Sequence, residues 1–276
     1  MEITGNNPLL RIGLITDIHC SAESWPAASA ELRLCLDCWR DNDVDVVMQL
    51  GDLIQGSEMH KGDELQQVLS LLKEFSGDIR HVIGNHCLAL ARRALLEALG
   101  LHAPFYSFSV EGFRCIVLDG MDVSVLRTPE TPEDCRILAL FRAHPELHDY
   151  CGAVGIQQSL WLTRELEGAE RFGERVIVFC HFPLLPETTD HKHGLLWNHA
   201  WIAELITSFS NVQACLSGHY HYGGYALYHG VHFVVFPAFV NRHEHPRFIC
   251  GMAELHHGWM VIKNQRNETL YHLPFH

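Results

Sequence analysis

No apolar run in this chain reaches membrane-spanning length, and no internal repeat or low-complexity tract is present. Solenoid, fibrous and helical-spanning architectures are therefore not expected, and no membrane partner is. Positive charge is scarce: 20 Lys and Arg stand against 33 Asp and Glu, a formal net charge of -13. With a pI near 5.8, that excludes a general nucleic-acid binder, which needs a basic face. An anionic small molecule is not excluded, because bound divalent cations bring their own positive charge. A disulfide framework is also missing, although there are ten cysteines. Cys115, Cys180 and Cys215 lie inside apolar runs, where a free thiol acts as a small hydrophobe. Cys35-x-x-Cys38 has no second pair and reads as packing within a helix. Met1 to Pro8 is short and polar, so no signal peptide is expected. Together these features predict a reducing, cytoplasmic compartment.

What is present is a large hydrophobic fraction, 47% of 276 residues, enough for a single domain over 1–276. β-Branched runs of strand length recur at Leu10 to Thr16, Val44 to Leu50, Ile79 to Ile83, Val176 to Cys180 and Val212 to Ser217. Helical patterns separate them: Ala30 to Asp41, Glu64 to Phe75, Ala91 to Leu99, Ile156 to Leu166 and His199 to Phe209. This alternation predicts an α/β fold with a parallel component. A hairpin is expected from Phe105 to Val110 and Phe113 to Asp119, around Glu111-Gly112. About 121–155 breaks the rhythm and reads as an insertion carrying one helix. Cys20 to Ala28 reads as a loop over the site, and Phe182 to Asn198 as a long loop holding His191, His193 and Trp197. Tyr225 to Phe275 reads as antiparallel strands.

Each of the five buried-type strands ends in a group suited to a metal. They are Asp17-x-His19, Gly51-Asp52, Gly84-Asn85-His86, His181, and Gly218-His219-x-His221. In open α/β sheets, sites gather at the carboxyl ends of strands. Asp52 offers two oxygens and can bridge two cations. Asn85 adds an uncharged oxygen, and His181, His219 and His221 add imidazole nitrogens. This mixed N/O set without thiolate suits Mn, Fe or Zn better than Mg or Ca. A metal pair lowers the pKa of a bridging water and clamps a phosphoryl group. His86 is placed to protonate a leaving oxygen. Singly, each residue reads more simply as a turn former or cap, and with 21 histidines a pair such as His243-x-His245 arises by chance. Five in order, each after a buried-type strand, do not read that way.

That order resembles the calcineurin-like metallophosphoesterases, over Leu14 to His221. The resemblance implies a four-layer α/β/β/α sandwich. It implies a first metal site of Asp17, His19, Asp52 and His221, a second of Asp52, Asn85, His181 and His219, and His86 as catalytic histidine. A narrower resemblance, to the manganese-dependent ADP-ribose/CDP-alcohol diphosphatases, rests on Val47 to Asp52, Leu118 to Val125, Gly155 to Leu162 and Trp197-Asn198-His199. It implies two divalent ions, manganese foremost and Fe or Zn as alternatives. It also implies a small nucleotide-type substrate whose diphosphate, linked to a sugar or alcohol, is hydrolysed by a metal-bridging hydroxide. His19, Cys87 and Gln55 depart from that group's usual Gln, Glu and Asp or Asn. Two alternatives stay open: a cyclic-nucleotide or other phosphodiesterase of the same superfamily, and a non-catalytic metal-binding scaffold. Substrate contacts are expected from Trp25, Phe182, Trp197, Asn241 and Arg242, which can stack on a base or meet a phosphate.

Overall fold

Along Leu10–Ile15 the side chains alternate between two cores. Ile12 and Leu14 enter one packed between two sheets. Ile15 enters another, shared with helices. The computed structural model describes residues 7–129, 131–144, 147–190 and 194–276. Its first half contains β1 (Leu10–Ile15), α1 (Trp25–Asp41), β2 (Val46–Gln49), α2 (Lys61–Leu72), β3 (Asp78–His81), α3 (Arg92–Leu99), β4 (Tyr106–Val110) and β5 (Phe113–Leu118). Then come β6 (Val123–Ser124), α4 (Pro132–Arg142), β7 (Gly152–Ala153), α5 (Ile156–Phe172), β8 (Arg175–Cys180), α6 (His199–Thr207) and β9 (Val212–Ser217). The chain closes with β10 (Gly224–Tyr228), β11 (Val231–Val235), β12 (Gly251–Leu255), β13 (Trp259–Asn264) and β14 (Thr269–Pro274).

Two six-stranded sheets result, in the orders β14-β13-β12-β1-β2-β3 and β10-β11-β9-β8-β5-β4. Leu10, Ile12, Leu14, Val46 and Met48 of the first sheet meet Phe113, Val117, Phe179 and Leu216 of the second, all buried. On the outer face of the first sheet, Leu32, Leu36 and Trp39 of α1 and Leu65, Val68 and Leu72 of α2 cover Ile15 and Val47. On the outer face of the second, Leu162 and Leu166 of α5 and Ile202 and Ile206 of α6 cover Ile116, Val178 and Cys215. These are four α/β/β/α layers, and removing a buried Leu from any of them would cost about 2–5 kcal/mol.

The helices and strands differ in detail from the sequence reading. Helix α1 starts at Trp25, not Ala30, because Pro26 suits its first turn. Helix α2 covers Lys61–Leu72, so it starts and stops earlier than expected. Helix α5 continues to Phe172, where Gly173 takes a left-handed conformation and ends it. Strand β11 pairs with β9 in parallel, which corrects the expectation of antiparallel strands throughout the C-terminal part. Within 121–155, β6 and β7 pair, and Thr131 caps α4 by accepting from the Asp134 amide at 3.0 Å. Val123, Leu138 and Cys151 from this segment join the core under the second sheet. His191 and His193 lie outside the described residues.

His81, at the end of β3, is buried, and burial lowers its pKa to about 4 against an opposing pull from Asp78. The unfolded chain therefore takes up a proton near pH 6.5 that the folded chain refuses until about pH 4. Stability attributable to this ring is complete above pH 6.5 and falls by roughly 3 kcal/mol by pH 4. Urea unfolding in chelator, across that window, should show His81→Gln losing less stability on acidification than the parent. Parallel losses would remove His81 from the account.

Candidate metal centre

The strands β1, β2, β3, β8 and β9 end on one rim, and their carboxyl ends carry the expected residues. The loop after β1 runs beside the loop after β2: the Asp17 amide donates to Gly51 O and the His19 amide to Asp52 O, each at 3.0 Å. Strand alternation has stopped by then. Asp17, His19, Asp52 and His219 all have positive φ, at 51°, 45°, 54° and 65°. Left-handed backbone costs a non-glycine residue roughly 1–2 kcal/mol, and such strain concentrates where function over-determines the structure.

Two glycines permit the close approach of the segments. A Cβ on Gly84 would sit 2.2 Å from Asp52 Oδ1, and one on Gly218 would sit 2.0 Å from Thr16 Oγ1. With that room, Asp17 Oδ2 accepts from Thr16 Oγ1 at 2.5 Å and from the His219 amide at 2.9 Å. Asp52 Oδ1 accepts from the His86 amide at 2.9 Å. One oxygen of each carboxylate is thus fixed by protein, and the other faces the cluster.

Those remaining atoms crowd together. His19 Nε2 lies 3.5 Å from Asp17 Oδ1 and 3.7 Å from Asp52 Oδ2. His221 Nε2 lies 3.6 Å from Asp17 Oδ1. His181 Nε2 lies 3.3 Å from Asp52 Oδ2 and 3.3 Å from Asn85 Oδ1. Such separations are longer than good hydrogen bonds. They are close to the roughly 3.0–3.5 Å that separates donors standing about 2.1 Å from a shared ion. Asp17 Oδ1 and both ring nitrogens of His19 are buried with no hydrogen-bond partner among the described residues. Native structures rarely leave such atoms unsatisfied, so the donor set fits divalent cations. Potential ligand atoms of Asp17, His19 and His221 lie within 4.8 Å of one another, as do those of Asp52, His181 and His219.

Outer hydrogen bonds orient the imidazoles. The Nδ1 of His181 pairs with Leu50 O at 2.8 Å, that of His221 with Asn241 Oδ1 at 2.7 Å, and that of His86 with Gln55 O at 2.8 Å. With Nδ1 as donor, Nε2 carries the lone pair. His219 instead places Nε2 4.0 Å from Cys151 Sγ. Burial opposes charge on Asp52, yet the field of His181 and contacts to it prevail and hold the carboxyl at about 2. Burial likewise opposes charge on Asp17, and contacts from His19 and His221 hold it well below the usual range. His181 is raised to about 9, burial being outweighed by Asp52. His219 is lowered to about 3, by burial and then by His181, so its lone pair stays free. The centre therefore keeps two carboxylates ionised in a buried place, where the charge of neighbouring imidazoles or of a bound cation compensates them.

The donors open onto a cavity of about 460 Å³ whose walls include His19, Asp52, Asn85, His86, His219 and His221. Tyr150, Val240 and Gln55 also line it. Tyr150 comes from the irregular 121–155 segment, and no periodic signal marked it. Of the five expected substrate contacts, Asn241 lines this cavity, where it also steadies His221. The other four do not line it. Trp25 opens α1 and lines a separate hollow with Arg33 and Glu74. Phe182 is fully buried, its ring 4.6 Å from that of the candidate ligand His219, against which it packs. Trp197 is core, 5.3 Å from Phe141. Arg242 is buried, ion-paired to Glu31 and stacked over Phe239. The three departures find physical roles as well. Gln55 serves His86 through its backbone carbonyl, so its side chain is immaterial to that bond. Cys87 is packed in the core, and burial pushes its thiol up to about 12. His19 stands between the two carboxylates.

Comparison with known proteins places this geometry. Residues 10–223 match the family model described as calcineurin-like phosphoesterase. A manganese-dependent ADP-ribose/CDP-alcohol diphosphatase of Arabidopsis thaliana is 30% identical over 271 residues, spanning 84% of this chain and 86% of its own. One of that name from Danio rerio is 28% identical, covering 79% and 83% respectively. A crystal structure of a dimetal phosphatase from Danio rerio superposes with a TM-score of 0.86 at 26% identity, covering 98% of this chain and all of that one. The family match, the shared fold and a buried donor set that fits divalent cations all lead the same way: the chain belongs to the calcineurin-like phosphoesterase family and is a metal-dependent phosphoester hydrolase.

Proposed function

We propose that this enzyme hydrolyses the diphosphate of nucleoside diphosphate-linked sugars or alcohols, of the ADP-ribose/CDP-alcohol type, with manganese as its metal. The observation that carries the reading is the likeness to diphosphatases of that name across more than four fifths of the chain. Asp17, His19, Asp52 and His221 would hold one ion, and Asp52, Asn85, His181 and His219 the other, with Asp52 shared. The N/O donor set supports manganese. Bound together, two such ions supply Lewis acidity and an activated water for in-line displacement at phosphorus. The chain's own residues do the rest. Asp17 and Asp52 keep their charge, and Asn241 and Leu50 O hold His221 and His181 in register. His86, on the cavity wall and steadied by Gln55 O, delivers a proton to the departing phosphate oxygen. The complete donor set favours this over a scaffold role. The compartment proposed is the cytoplasm, where all ten thiols stay free; recovery of the protein solely from a secreted fraction would refute that.

The test is kcat/KM for ADP-ribose, CDP-choline, cyclic AMP and a phosphomonoester in manganese buffer, with products identified by mass. ADP-ribose or CDP-choline should lead by tenfold or more and release a nucleoside monophosphate. A tenfold lead for cyclic AMP or the monoester would overturn the diphosphatase reading and leave the family membership intact.

A further inference from the structure

We propose that a second cavity, separated from the metal centre by His221 and the 241–245 segment, binds the nucleobase of the substrate. This inference rests on the diphosphatase reading above. The cavity measures about 520 Å³ and is lined from β10, the end of β11, the start of β14 and residues 244–248. That volume falls within the range of small-molecule sites.

Its link to the metal centre is covalent and hydrogen-bonded. Tyr222, which follows the ligand candidate His221, lines this cavity and is 55% exposed. Asn241 Oδ1 pairs with His221 Nδ1 at 2.7 Å, and Asn241 Nδ2 donates to Glu244 Oε2 at 3.0 Å. The amides of Glu244 and His245 both donate to Asn241 O at 2.9 Å. One short segment therefore forms a wall of both hollows. The second hollow thus adjoins the metal centre across that wall.

The lining suits a planar heterocycle. Phe236 and Phe248 are buried and stacked at 5.1 Å, giving an apolar floor. Tyr222 stands edge-on to His245 at 5.0 Å and offers a ring face. Glu244, His245 and Arg247 supply acceptors and donors for a heterocycle's polar edge. His245 Nε2 is buried with no hydrogen-bond partner among the described residues, a demand that a ligand atom can meet. A free phosphate would leave the aromatic floor unused, and a cationic alcohol would meet Arg247.

The experiment is calorimetric titration of the manganese-loaded full chain with AMP and, separately, with inorganic phosphate. Wild type should bind AMP at least tenfold more tightly than phosphate. Tyr222→Ala removes the exposed ring, and Leu270→Trp fills the cavity from β14. Each should weaken AMP at least tenfold and phosphate less than twofold. Because Tyr222 is exposed, its variant remains a test should Leu270→Trp not fold. AMP no tighter than phosphate, AMP binding unchanged in the folded variants, or equal losses on both ligands would overturn the proposal. The readout needs no turnover. A chain that binds AMP as expected but does not cleave ADP-ribose would sink the diphosphatase reading alone.

Discussion

Asp52→Asn should strip at least one metal ion from the protein and lower kcat/KM by about 10³-fold or more, roughly 4 kcal/mol of transition-state stabilisation. Asp52 Oδ2 lies 3.3 Å from His181 Nε2 and 3.7 Å from His19 Nε2, so it faces both proposed ion positions. Its other oxygen is occupied by the His86 amide, with no space to spare beside Gly84. The amide is nearly the same size, so the fold should survive, as circular dichroism can check. What changes is charge and donor character. Asn at this position either keeps the oxygen toward one neighbour and loses the anion, or turns an NH₂ toward a site that needs acceptors. Metal analysis after gel filtration, alongside hydrolysis of bis(p-nitrophenyl) phosphate with added manganese, gives both readouts. Two ions per chain with full activity would refute the shared-ligand assignment.

A different pattern is expected from His86→Ala. Turnover of ADP-ribose should fall by about 10²–10⁴, the usual worth of a positioned general acid, while an activated nitrophenyl ester should lose far less. The ring is held at Nδ1 by Gln55 O at 2.8 Å, which leaves Nε2 to serve the cavity. It stands edge-to-face with His19 at a centroid distance of 4.5 Å. A phosphate or sugar-phosphate leaving group needs a proton as the P–O bond breaks, whereas nitrophenolate leaves without one. The two substrates thus separate proton delivery from metal or phosphate binding. Equal losses on both would assign His86 to binding instead.

The candidate metal ligands are legible in the sequence because their signal is local. A β-branched run followed by Gly, Asp, Asn or His reports a strand end and a donor in a few residues, and this happens five times. The positive φ at Asp17 and His19 carries no such signal and appears only in the fold. Substrate contacts carry no such signal. Phe182 adjoins His181 in the chain, but successive side chains leave a strand on opposite sides, and its ring ends in the core. Arg242 looks like a phosphate ligand until Glu31, 211 positions away, neutralises it. Trp25 lies in a stretch that reads as a loop, yet Pro26 suits a first helical turn and α1 begins there. The parallel pairing of β11 with β9 depends on which strand is its neighbour, and hydrophobic pattern alone does not specify partners.

The anchors of the imidazoles differ in kind, and this makes the centre unevenly robust to genetic drift. His181 and His86 lean on main-chain carbonyls at Leu50 and Gln55, which persist whatever side chain occupies those positions. His221 leans on a side-chain amide, Asn241, which most single-base changes would abolish. Random substitution therefore erodes the two candidate ion positions at different speeds, and decay of a gene copy released from selection would begin on the His221 side.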